Sequence, residues 1–161
     1  MNGRNFLLIL LIVTAPVSAE RHSAGIFFSW GAFVEAAPRR CFAIARPPAF
    51  RGTAAASPFV SVSFSAARPG EVHARLRQAP RAGSSVLLRI DGRSFPLAAR
   101  GRDAWLADPQ ASSSVLGLMR TGRTLAVESR SAAGGRMRDL YPLRGAAGAI
   151  DAAAVACARP A

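Results

Sequence analysis

The chain has 161 residues and a formal net charge of +12, carried by 21 basic residues against 9 acidic ones, and it contains no lysine. A chain that is half hydrophobic is not a disordered polymer, and this length suits a single core. Exclusive arginine beside abundant alanine, glycine and proline partly reflects GC-rich codon usage, so the charge reads either as a dispersed solubilising surface or as a face for an anionic partner.

The first residues, MNGRNFLLILLIVTAPVSAERHS, combine Arg4, an apolar run from Phe6 to Val13 and a small-residue site at Val17-Ser18-Ala19. This is the pattern of a Sec-type signal peptide cleaved after Ala19, leaving residues 20–161 as one exported domain in the periplasm or outside the cell. A spanning helix needs roughly 20 apolar residues, and Thr14 and Pro16 cut this run short, so no membrane span is expected after cleavage.

Beyond the leader, GIFFSWGAF at 25–33 reads as an opening segment, and short apolar runs then alternate with turn signals. RCFAIAR makes a strand with Cys41, Ala43 and Ala45 on one face. PFVSVSFSAARPGEVHARLR makes a hairpin in which Val60, Val62 and Phe64 oppose Val72, Ala74 and Leu76, with Glu71, His73, Arg75 and Arg77 on the polar side. In SVLLRIDGRSFPLA an Asp91-Gly92 turn pairs Ile90 with Arg93, Leu88 with Phe95 and Val86 with Leu97. Pro96 argues that the second of these strands lies at an edge or breaks early.

Asp108 is a natural N-cap and Pro109 suits a first helical position, so the spacing of Ala111, Val115, Leu118 and Met119 predicts a short helix over 109–121, stopped by Gly122. RTLAVESRSAAGGRMRDLYPL predicts a third hairpin, with Leu125 and Val127 before Gly134-Gly135 and Met137, Tyr141 and Leu143 after it. Leu143, Ala146, Ile150, Ala154 and Cys157 recur at helical spacing, with Asp151 facing away. The expected architecture is mainly β: an antiparallel sandwich or barrel-like sheet of hairpins, with the short helix and a C-terminal helix packed on the sheet.

In an oxidising compartment Cys41 and Cys157, the only cysteines, are expected to form a disulfide; two buried free thiols are the alternative. Catalytic chemistry is not legible. His22 reads as part of a frayed end and His73 as solvated, while Ser112 to Ser114 belong to the first turns of a helix and Asp103, Asp108 and Asp139 read as turn, cap or partner to arginine. No nucleophile elbow, phosphate loop or metal-ligand spacing is present, so no catalytic residue, metal or cofactor is expected. The aromatics do not interleave with arginine along the chain, which argues against nucleic acid.

The segments LLRIDGRSF and SVLGLMRTGRTLAVESRSAAGGRMRDLYPLRGAAGAIDAA, within residues 84–157, resemble the invasion-associated locus B family of small exported bacterial proteins. The shared pattern is a strand ending at Asp91-Gly92, a helix over Val115 to Met119, a turn at Gly122, a strand over Leu125 to Val127, and a Tyr141 to Gly145 step into an alanine-rich helix. Cys41 also resembles a retained family position. The resemblance implies an exported, β-rich envelope protein, associated in some pathogens with host-cell entry, and it carries no catalytic residues. The function expected is therefore non-enzymatic binding of an anionic envelope or host component, such as lipopolysaccharide or an acidic glycan, or of an envelope protein, by a monomer. Arg75, Arg77, Arg130, Arg136 and Arg138 are the candidate contacts, because each neighbouring pair projects to one side. The alternatives are a periplasmic hydrolase or enzyme inhibitor with a cleft between sheet and terminal helix, and a stability module with no ligand.

Overall fold

The computed structural model describes residues 20–36, 38–53 and 56–158; the leader expected over 1–19 lies outside the described residues. The strands are β1 (Arg21–Phe27), β2 (Trp30–Glu35), β3 (Arg40–Ala45), β4 (Phe59–Phe64), β5 (Glu71–Arg75), β6 (Val86–Ile90), β7 (Arg93–Arg100), β8 (Asp103–Leu106), β9 (Thr124–Arg130) and β10 (Arg136–Pro142). The helices are α1 (Ser112–Thr121), entered through a 3₁₀ turn at Pro109–Ala111, and α2 (Ala146–Ala158). All strands form one antiparallel sheet in the order β1-β2-β3-β4-β5-β8-β7-β6-β9-β10. The β6-β7-β8 meander is thus inserted backwards, with β8 beside β5 and β6 beside β9.

The alternation of apolar residues decides which face turns inward. Val60 lies opposite Ala74 and Val62 opposite Val72, Leu88 opposite Phe95 and Val127, and Tyr141 opposite Leu125. A one-residue slip would turn these sets outward, so burial pins the register. Trp30, Val60, Val62, Leu88, Ile90, Val115, Met119, Leu125 and Ile150 are completely buried, each worth about 1.5–3 kcal/mol on removal from water.

The sheet curls until its ends meet. The Trp30 indole of β2 donates to the carbonyl of Pro142 at the end of β10, 2.9 Å away. Beside it the backbone passes so closely that a Cβ on Gly145 would collide with the carbonyl oxygen of Phe27, and Gly145 holds a φ of 94° that glycine adopts freely. The alanine-rich face of α2, with Ala146, Ala149, Ile150 and Ala153 buried, lies against the sheet on the side of β1 to β4. Cys157 is joined to the inward-facing Cys41 of β3 by a disulfide with a Cα–Cα distance of 5.6 Å. Arg39 donates to the carbonyl of Ala156 at the helix end, a favourable place for a cation.

Two expectations change. Strand β7 is neither an edge nor broken: it runs through Pro96 between β6 and β8. The missing N–H is harmless because Pro96 faces the place where the β8 ladder has ended, and its carbonyl accepts from Ala107. The opening segment is two strands, joined by a tight turn in which Phe28 takes a φ of 56°.

Candidate functional site

Strands β9 and β10 place their odd-numbered residues inward and their even-numbered residues outward. Arg130 stands directly opposite Arg136, and Glu128 directly opposite Arg138 and Leu87, all on the outer face. The loop before β6 runs alongside this hairpin, its Arg81 N–H donating to the carbonyl of Arg130 at 2.8 Å. Between loop and strands lies a groove of about 600 Å³, lined by Ser84, Ser85, Leu87, Glu128, Arg130, Arg136 and Arg138 among others. A smaller hollow of about 350 Å³, which includes Arg89 and Thr124, continues it and shares Glu128 and Arg138.

The groove has two electrostatic halves. Arg138 Nε lies 2.9 Å from one oxygen of Glu128, and Arg89 lies 3.9 Å from the other, so one carboxylate offsets part of the charge of this half. At the hairpin tip Arg130 donates only to the carbonyl of Gly134, at 3.2 Å. Arg81 reaches the same turn, with Nη1 3.7 Å from where a Cβ on Gly134 would stand. Among the described residues neither Arg130, Arg136 nor Arg81 has a carboxylate partner.

Of the arginines the sequence points to, Arg130, Arg136 and Arg138 converge on this groove, whereas Arg75 and Arg77 have other work. Arg75, on the outer face of β5, bonds Asp103 of β8 at 3.1 Å. Arg77 lies past the end of β5, where the period of 2 no longer governs its direction. Its guanidinium turns to Asp139, which occupies an inward position of β10 and is 5% exposed. The hydrogen bond to Asp139 raises the pKa of Arg77 against the opposing effect of burial. The buried Tyr141 hydroxyl beside this pair is pushed well above its usual range by burial first and by the Asp139 charge second.

His73 is not solvated. Its side chain is 19% exposed, stacked on Trp105 with ring centroids 5.0 Å apart and edge-on to Phe59 at 5.4 Å. Nε2 lies 3.0 Å from Asp103 Oδ1; burial nevertheless lowers the His73 pKa, outweighing the carboxylate. This pair sits on the outer face, away from the side that carries Cys41 and α2, so a cleft between sheet and terminal helix does not contain it. Asp108 caps the 3₁₀ turn by accepting from Gln110 N–H at 2.9 Å, and no metal-holding cluster of His, Cys, Asp or Glu occurs among the described residues. Arginine and aromatic residues do meet in the fold: Arg40 lies over Phe42, its neighbour two places along β3, Arg21 lies over the same ring, and Arg144 lies over Phe28, 3.9 Å from the ring centroid. Cross-strand register and the curl of the sheet create the contacts of Arg21 and Arg144.

Sequence reasoning missed Arg89 and Glu128, because their place beside Arg138 depends on a strand order that no local pattern encodes. The directly opposed Arg130 and Arg136 come from a loop over 131–135, whereas a two-residue Gly134-Gly135 turn would have set Ala133 opposite Arg136.

Fold and groove together define a small β-rich protein: one curled antiparallel sheet, closed by a disulfide to its terminal helix, with an arginine-lined outer groove. No protein-family model matches the chain, and no curated protein matches it by sequence. Among solved structures it is similar to invasion associated protein B from Bartonella henselae, with a TM-score of 0.67 and 14% identity over 86% of this chain and 99% of that one. At that identity the likeness is one of fold.

Proposed function

We propose that this chain is an exported, non-enzymatic binding protein of the invasion-associated locus B type, holding an anionic envelope or host component in the groove of β6, β9 and β10. The observation that carries the reading is the convergence of Arg130, Arg136 and Arg138 on a groove containing one carboxylate, Glu128, with Arg89 in the hollow that continues it. Clustered guanidinium groups offer charge-assisted, often bidentate hydrogen bonds to phosphate, sulfate or carboxylate. The Cys41–Cys157 disulfide suits an oxidising compartment, and no helix among the described residues is long and apolar enough to cross a membrane. A monomer working in the periplasm or outside the cell fits these features.

The test is titration of the disulfide-bonded chain with lipopolysaccharide and with an acidic glycan. Binding should weaken as ionic strength rises from about 0.05 M to about 0.5 M, and replacing Arg130, Arg136 and Arg138 together by Gln should abolish it. Binding indifferent to both changes would refute the reading.

A further inference from the structure

The two halves of the groove are not equivalent, and the difference specifies a ligand more closely than net charge does. In the inner half the row Leu87, Glu128, Arg138 sets an apolar side chain, a carboxylate and a guanidinium side by side, with Ser84 and Ser85 on the rim. Glu128 there lies between Arg138 and Arg89, so this half already holds a carboxylate and keeps only part of its positive charge. Two residues along the strands, roughly 7 Å away, Arg136 faces Arg130 across the ladder and Arg81 approaches the turn from the loop. Like charges directly opposite on neighbouring strands destabilise a hairpin. Among the described residues no carboxylate pairs with either arginine, so no ion pair relieves that repulsion.

Resting on the reading that this groove binds anions, we infer that it takes a phosphorylated saccharide, with a phosphate monoester between Arg130 and Arg136 and the sugar body lying over Leu87 against Ser85 and Glu128. A single group of charge close to −2 answers two arginines at directly opposed strand positions better than carboxylates spaced one per sugar ring. Glu128 would repel a second anion in the inner half but can accept hydrogen bonds from sugar hydroxyls. The site thus favours one concentrated charge at the end of a neutral, hydroxyl-rich body over an evenly charged polymer.

The experiment is calorimetric titration of the disulfide-bonded chain with glucose 1-phosphate, glucose 6-sulfate and oligogalacturonate. Glucose 1-phosphate should bind best, with affinity rising several-fold from about pH 5 to about pH 7 as the phosphate loses its second proton near pH 6, while the singly charged sulfate ester shows no such rise. R136Q should lower phosphate-ester affinity about ten-fold and at the same time raise the melting temperature slightly, a combination that a merely structural arginine would not give. Arginine-dependent binding of oligogalacturonate or the sulfate ester, equal to or stronger than that of the phosphate ester, overturns this inference and leaves the anion-groove reading standing. Failure of all the ligands, with lipopolysaccharide also failing to bind, overturns both.

Discussion

Arg77 and Arg136 are the same residue in opposite circumstances. Arg77 reaches into the fold to a carboxylate that is 5% exposed, whereas Arg136 stands on the surface opposite another arginine with no carboxylate partner among the described residues. Net charge counts both alike, yet only the second is available to a ligand. A positive total therefore says little about where an anion would bind until each guanidinium has been matched with the carboxylates around it.

The strongest test of this contrast breaks the Arg77–Asp139 pair from its more exposed side. Arg77→Met leaves Asp139 buried and unpaired and should cost about 3–5 kcal/mol in denaturant unfolding, while adding Asp139→Leu should recover most of that loss. Anion binding should change little in the double variant. Glu128→Gln sharpens the contrast from the other side, by freeing Arg138 and Arg89; it should cost no more than about 1 kcal/mol of stability while raising affinity for polyanionic glycans, read by the same titration.

A smaller effect belongs to His73, whose pKa burial holds below the ordinary 6.5. As pH falls through that value the unfolded chain takes up its proton first, so stability should decline with acidification and level off once the folded protein is protonated too. His73→Phe, which keeps an aromatic ring against Trp105, should flatten the melting temperature over this window. An unchanged slope would mean that another group controls it. Smallest of all, R136Q should stabilise the fold by no more than a few tenths of a kcal/mol, measurable as a slight rise in the unfolding midpoint.

How much of this was legible in the sequence depended on the range of the interactions involved. The Asp91-Gly92 hairpin came out in the expected register because the turn takes φ values of 44° and 89° that Asp and Gly tolerate, and a two-residue loop leaves no slack. Asp108, Pro109 and the following apolar stripe gave the short helix for equally local reasons. The β1-β2 turn was hidden because Phe28 is not a turn residue, and a bulky side chain at positive φ is an exception that only the surrounding strands enforce. Asp91 also does something its turn does not announce: its carboxylate accepts the N–H groups of Arg123 and Thr124, at 2.9 and 3.0 Å, where α1 passes into β9. Those bonds hold its pKa below the usual range. At the groove, hairpin alternation located the arginines, but Arg77 escaped the rule because its strand had ended, and Glu128 gained meaning only when β6 was seen beside β9.

The corner at Gly145 has a consequence of its own. Because that residue lacks even a methyl group, the carbonyl of Phe27 rests in the space a side chain would fill, and the Phe27 ring comes within 2.6 Å of the corresponding point over Gly148. One added carbon at either position would act as a wedge driven between the first hairpin and the final helix. The molecule is thus fastened along that line like a lid seated on a rim with no gasket, and it is there that a single methyl would begin to prise it open.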